Sequence, residues 1–373
     1  MIPIAERSLL ENTAQTGLIF SVAIVSFTIA VLFAPRLPAA MQQLSGCSIF
    51  GFIGAVFLFL ASLSTSYFAF VVSFSVGFGI ASGAVYINAL SVAANSSRPK
   101  LATPIMVASF GLGGAIFGPV WRLLAASNWD MSALLPVSAA LLIAAVISWL
   151  HKSNSSLVVS PDKAPTDKVL SKTHSIFSKT KLLLLIWFTF GFGSMGGLMV
   201  LGLASKFIDV AGGSVLISTI AVTGVAVGNT TGRLSVGLIT LRYPPINSII
   251  AATIIIGISL VTLAFAPTGN SVAVLFAMVA IASGYGIMAS AVPTLVGTIY
   301  ETSVFARVYS IVFCAWGLAG LTAPWVTGVI FDQTDSFKPA VIGALLCTFI
   351  AFLTALMIKQ EVVNISPAKH AQP

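Results

Sequence analysis

Long runs of apolar residues, separated by short polar turns, make up almost the whole of this chain. Eleven such runs can be marked, at 16–34, 46–65, 67–93, 101–124, 132–150, 182–205, 214–239, 246–266, 271–297, 305–330 and 338–358. Each is apolar throughout rather than alternating, so the pattern predicts spanning helices and not barrel strands. Most reach the roughly 20 residues that a helix needs to cross the hydrocarbon core of a bilayer. One segment breaks the pattern. Residues 152–181 are rich in Ser, Thr, Lys, Asp and Pro and read as a polar linker. The expected organisation is therefore a first bundle of five spans over 1–151, a cytoplasmic linker over 152–181, and a second bundle of six spans over 182–373.

Composition sharpens the class. The chain is 57% hydrophobic and 8% charged, with a mean hydropathy of +1.04 over 373 residues. No soluble domain hides that much apolar surface, so the fold class is an all-α membrane protein with the lipid bilayer as its main partner. The net charge of +8 does not point to nucleic acid, because the charges occupy the turns between spans. With the N-terminus outside, the inner turns and the inner ends of the spans carry Arg36, Arg98, Lys100, the six lysines of 152–181, Arg233, Arg242, Arg307, Lys359 and Lys369. Only Arg7, Arg122, Lys206 and Lys338 fall outside. This 14:4 ratio obeys the positive-inside rule and predicts an inner or plasma membrane protein with an external N-terminus and a cytoplasmic C-terminus. Cys47, Cys314 and Cys347 lie in or beside spans and read as small buried hydrophobes, and the three histidines have no ligand spacing. No metal, cofactor or catalytic residue is expected, and the chain is not read as an enzyme.

The two sides of the linker resemble each other. Residues 77–85 read GFGIASGAV and 284–292 read GYGIMASAV, an offset of 207. Residues 110–114 read FGLGG and 316–320 read WGLAG, an offset of 206. Duplicated halves are how many transporters are built, with the substrate site between them near the midplane. On this offset the span 182–205 has no counterpart, and a twelfth span upstream of Met1 is expected to complete the pattern.

Gly118-Pro119 after a Gly-rich run resembles the fifth-helix motif of the major facilitator superfamily, and Gly232-Arg233-Leu234 with Gly237 and Arg242 resembles the motif joining that family's eighth and ninth helices. The acidic residue usual before the second arginine is replaced by Leu241, and the equivalent first-half turn, 35–40, has lost nearly all of the charged signature. The resemblance runs from Gly17 to Lys359. It implies two pseudo-symmetric bundles, six and six in the family and five and six here, with the family's first helix absent. Within the family the texture of 187–202, 284–299 and 305–324 is similar to the oxalate/formate antiporter and monocarboxylate transporter branch. Arg233 matches the arginine that monocarboxylate transporters carry on the eighth helix, and Asn229 stands where they have an aspartate. No lysine occurs in 305–330, which favours monocarboxylates over dicarboxylates.

The residues lead to the same place. Arg233 is the charge lying most clearly within a span, and an intramembrane arginine usually faces a partner or a water-filled cavity. Its planar fork suits a carboxylate, although snorkelling to the interface or bracing a turn would also explain it. Asn229, four residues earlier, shares its helical face. Tyr86, Tyr285 and Trp316 are further candidate substrate contacts, each also readable as packing, and Trp121 reads as an interface anchor. No Asp, Glu or His falls clearly inside a span, so no proton relay is evident. The expected function is secondary transport of a small organic anion by a monomer, through exchange or facilitated movement. A neutral or amphipathic solute, and a non-transporting truncated or sensor protein, remain as alternatives.

Overall fold

The structure, a computed structural model, describes residues 13–126, 134–154, 180–266 and 269–365. Most of the expected linker lies outside these residues, as does the Trp121 side chain. Taking the continuous helix 67–94 as one element, the described residues hold eleven long helices. They are α1 Thr13–Phe33, α2 Gln43–Ser62, α3 Tyr67–Ala94, α4 Pro99–Ala126, α5 Leu135–Asn154, α6 Thr180–Val210, α7 Val215–Ile239, α8 Pro245–Phe265, α9 Ser271–Ile299, α10 Thr302–Thr334 and α11 Lys338–Ile365. Eight are long and apolar enough to cross a membrane, and α1 and α5 add the shorter apolar stretches Ser21–Arg36 and Leu135–His151. Helices are the form this sequence must take in lipid, where each backbone amide has to find its partner within the segment. Hydroxyls inside the spans follow the same rule. Thr28, Ser91, Thr230 and Thr327, among others, donate to the carbonyl four residues back.

Two irregularities were not expected from the apolar pattern. Val71–Phe78 of α3 is wound as a π-helix, and α6 is kinked at Leu203, whose φ of −127° is not helical. In the π-helical stretch Gly77 faces Phe57 of α2 so closely that an added Cβ would lie 2.2 Å from the ring. Side-chain caps start α3, α7 and α9, where Ser66, Ser214 and Asn270 accept from the amides of Ala69, Ile217 and Ala273.

Small residues set the helix contacts, as expected where apolar side chains gain nothing by leaving lipid. Gly224, Gly228 and Gly232 recur every fourth residue along one face of α7 and meet Val279 and Ser283 of α9. Gly286 of α9 returns the contact, its added Cβ falling 2.1 Å from the Asn229 carbonyl oxygen. The most buried candidate span, α6, packs against α7, α9, α10 and α11. Across the two sides of the linker, α4 packs on α7 and α9, while α1 and α3 pack on α10.

The core is divided unevenly. One buried cluster takes Phe27, Val31, Leu90 and Val107 from the first side and Ile186, Val236, Val292 and Val308 from the second. It lies toward the end where α1 and α3 finish and α6 begins. A second cluster, including Leu198, Phe207, Leu260, Met278 and Val341, draws on α6–α11 alone and lies toward the opposite end. The two sides are thus sealed together at the end that carries the linker.

Candidate functional site

The seal ends at a small chamber between the two sides. Its wall is made by Tyr86 of α3, Phe110 of α4, Phe190 of α6, Arg233 of α7, Tyr285 and Ala289 of α9, and Phe313 and Trp316 of α10. Its free space is about 10 Å³, room for no more than about one water. Four of the five residues expected from sequence line it, and the fifth, Asn229, is bonded to Arg233.

Arg233 is held at the centre. The glycine before it, Gly232, brings α7 against the α9 backbone, which turns the arginine toward the seam between the two sides. Its Nε donates to Asn229 Oδ1 at 3.0 Å and its Nη1 donates to the Val107 carbonyl of α4 at 3.0 Å. The guanidinium carbon lies 5.9 Å from the Phe110 ring centre and 5.8 Å from that of Tyr285. Arg233 is only 5% exposed, so it does not snorkel. Among the described residues no acidic side chain pairs with it, and these described partners are all neutral. A buried cation so arranged has its hydrogen bonds but no counter-charge.

Aromatic side chains complete the wall. Trp316 Nε1 donates to the Tyr285 hydroxyl at 2.6 Å, and the hydroxyls of Tyr86 and Tyr309 lie 3.2 Å apart across the seam. Phe27 of α1 sits between Tyr86, Phe110, Phe313 and Trp316, with ring centres 5.5 to 6.3 Å away. Such tilted rings pack favourably and exclude water. Phe27, Phe110, Phe190, Tyr309 and Phe313 were not among the expected site residues. Phe110 carried a signal, since it opens the repeat FGLGG whose partner WGLAG opens with Trp316. The others are single aromatics among many and carried none.

The sequence model of the Major Facilitator Superfamily matches residues 1–324. The chain belongs to the major facilitator superfamily. It is thus a multi-pass member of a family of membrane transporters, with a bilayer around it. The uncharacterized MFS-type transporter YhjX of Escherichia coli (strain K12) is 24% identical to it over 267 residues, 70% of this chain. That match spans 66% of YhjX, just under two thirds of its length. Two solved superfamily structures share the fold. The transporter FucP in its outward conformation has a TM-score of 0.70 and 17% identity, covering 95% of this chain and 92% of FucP. The proton:xylose symporter XylE bound to 6-bromo-6-deoxy-D-glucose has a TM-score of 0.72 and 13% identity, covering 96% of this chain and 89% of XylE.

Proposed function

We propose that this chain moves a small organic anion, of monocarboxylate type, across an inner or plasma membrane by alternating access. The bundles 1–151 and 182–373 rock about the chamber, with the N-terminus outside and the C-terminus in the cytoplasm, and the working unit is a monomer. Arg233 is the anion contact, Asn229 orients it, and Tyr86, Tyr285 and Trp316 shape the pocket around the cargo. The observation that carries this reading is the buried Arg233 guanidinium, which has no acidic partner among the described residues. A carboxylate supplies the missing charge and fits the arginine fork. Exchange or facilitated movement is favoured over proton symport, because the described acidic residues, Asp209, Glu301, Asp332, Asp335 and Glu361, sit at or near helix ends and none lines the chamber.

The test is uptake of labelled lactate, pyruvate, formate and oxalate into liposomes holding the purified protein. Truncating one partner of a buried charge interaction costs ~2–5 kcal/mol, a factor of roughly 30 or more in affinity. Arg233→Ala is therefore expected to abolish measurable uptake while leaving membrane insertion intact. Normal uptake by a well-inserted Arg233→Ala protein would remove the assignment.

The aromatic wall favours a second reading, a neutral or amphipathic solute that stacks on Phe110, Phe313 and Trp316. The xylose cargo of XylE shows that this fold also serves uncharged solutes. Transport that is unchanged when the carboxylate is esterified would favour that reading.

A further inference from the structure

The Arg233–Val107 bond joins two sides of the molecule that must separate for the chamber to open toward the linker end. Arg233 belongs to α7 and Val107 to α4. A carbonyl has two lone pairs, so the Val107 oxygen can serve its own helix and still accept Nη1. On its way the arginine stem passes close against residue 111, one turn further along α4, which is glycine. An added Cβ at Gly111 would lie 3.1 Å from Arg233 Cδ and 3.2 Å from Nε, so the arginine stem would have to shift by a few tenths of an ångström. Only about 10 Å³ is free beside the guanidinium while this bond stands. The Tyr86–Tyr309 hydroxyl bridge crosses the same seam, but it is neutral and has no reason to answer to an anion.

We infer that Arg233 is a latch across the seam, that a bound carboxylate takes Nη1 from Val107 and so frees α4 from α7, and that Gly111 is the positioning residue that lets the latch close. The physical reason is the need of a buried guanidinium to keep its donors satisfied. In the empty protein the Val107 carbonyl satisfies Nη1 only while the seam is shut. A carboxylate satisfies it with the seam open, and so shifts the population toward the open form. Release by a carboxylate rests on the anion reading of Arg233 given above. The latch in the empty protein does not.

Thr240 reports on the seam. It is 1% exposed, and its hydroxyl oxygen lies 3.1 Å from the Lys100 carbonyl oxygen of α4 and 2.7 Å from that of Val236 in its own helix, the closer acceptor. The experiment uses the full chain in lipid nanodiscs, with Cys47, Cys314 and Cys347 replaced by alanine and Thr240→Cys introduced. It measures the rate of alkylation by a water-soluble maleimide, with and without sodium pyruvate, lactate or formate, and with methyl pyruvate as the uncharged control. Without ligand, Arg233→Gln is expected to speed alkylation about tenfold, the scale of one lost hydrogen bond to a charged group, and Gly111→Ala to speed it by a smaller factor, because it strains that bond without removing its donor. Pyruvate, but not its methyl ester, speeds the parent and leaves Arg233→Gln unchanged. Tyr309→Phe speeds the empty protein yet keeps its response to pyruvate. If Arg233→Gln folds poorly, Gly111→Ala carries the test, since it removes no donor. Parental alkylation rates in both variants overturn the latch, whatever pyruvate does. Faster variants combined with a parent indifferent to pyruvate, lactate and formate alike overturn release by a carboxylate while the latch stands, and the anion reading falls with it only if liposome uptake of the same anions fails too.

Discussion

Gly232→Ala probes the packing that aims Arg233. A Cβ at this position would lie 2.1 Å from the carbonyl oxygen of Ser283 and 2.9 Å from its carbon, both backbone atoms of α9. Backbone atoms cannot rotate aside as a side chain can. Close carbon–oxygen contacts settle at about 3.3–3.6 Å, so α7 and α9 must part by about 1.2 Å at this level. Neighbouring contacts offer no relief, because an added Cβ would lie 2.1 Å from backbone at Gly286 and 2.8 Å at Gly228 along the same seam. Over-packing of this kind costs ~1–3 kcal/mol, less up to ~1 kcal/mol that alanine gains over glycine within a helix. At ~2–4 °C per kcal/mol, the melting temperature should fall by up to about 8 °C, and should lie about 2–12 °C below that of a variant whose new alanine fits without a clash. The assay is thermal melting of the detergent-solubilised protein followed by size-exclusion chromatography. Gly343→Ala is the control, since an added Cβ there meets nothing within 4 Å. It should keep or raise the melting temperature. The reasoning is refuted if Gly232→Ala melts together with Gly343→Ala.

Two further predictions concern other joints. Asn88 is 5% exposed, and its Oδ1 accepts from the amide of Gln43, the first residue of α2, which is held at a φ of +54° as the chain leaves the turn. Asn88→Leu leaves that turn without its anchor and should cost ~1–3 kcal/mol, read as a lower melting temperature and faster trypsin cleavage after Arg36. Trp316→Phe keeps the ring but loses the bond to Tyr285, so liposome uptake should fall by no more than about tenfold, far less than for Arg233→Ala.

How much of this was legible in the sequence depended on the kind of force involved. The helices were legible because lipid imposes one solution on an apolar run, and among the described residues the eleven runs became eleven helices with ends shifted by up to seven residues. The π-helical winding of Val71–Phe78 was not, since nothing in its apolar residues separates π from α. Arg233 and Asn229 were legible because a charge in a span is rare and residues four apart share a face. The Gly224, Gly228, Gly232 row carried an equally clear signal, for its spacing is that of a close helix contact. The Val107 carbonyl was out of reach, because every residue has one and only the fold selects which is used. Tyr309 and Phe313 were hidden by abundance among 26 phenylalanines and six tyrosines.

The charge on Arg233 also bears on the transport cycle. A neutral solute would leave this cation without a counter-charge on both legs of the cycle. A carboxylate pairs it whenever the carrier is loaded. On the proposed reading the empty carrier must break the Arg233–Val107 bond to reorient with nothing to replace it, whereas the loaded carrier has already exchanged that bond for a stronger one. Carrying an anion on each leg therefore avoids the slow empty step, and one-for-one exchange becomes the faster cycle. Preloading liposomes with unlabelled pyruvate should then speed labelled pyruvate entry, and entry at the same rate into empty liposomes would contradict this account.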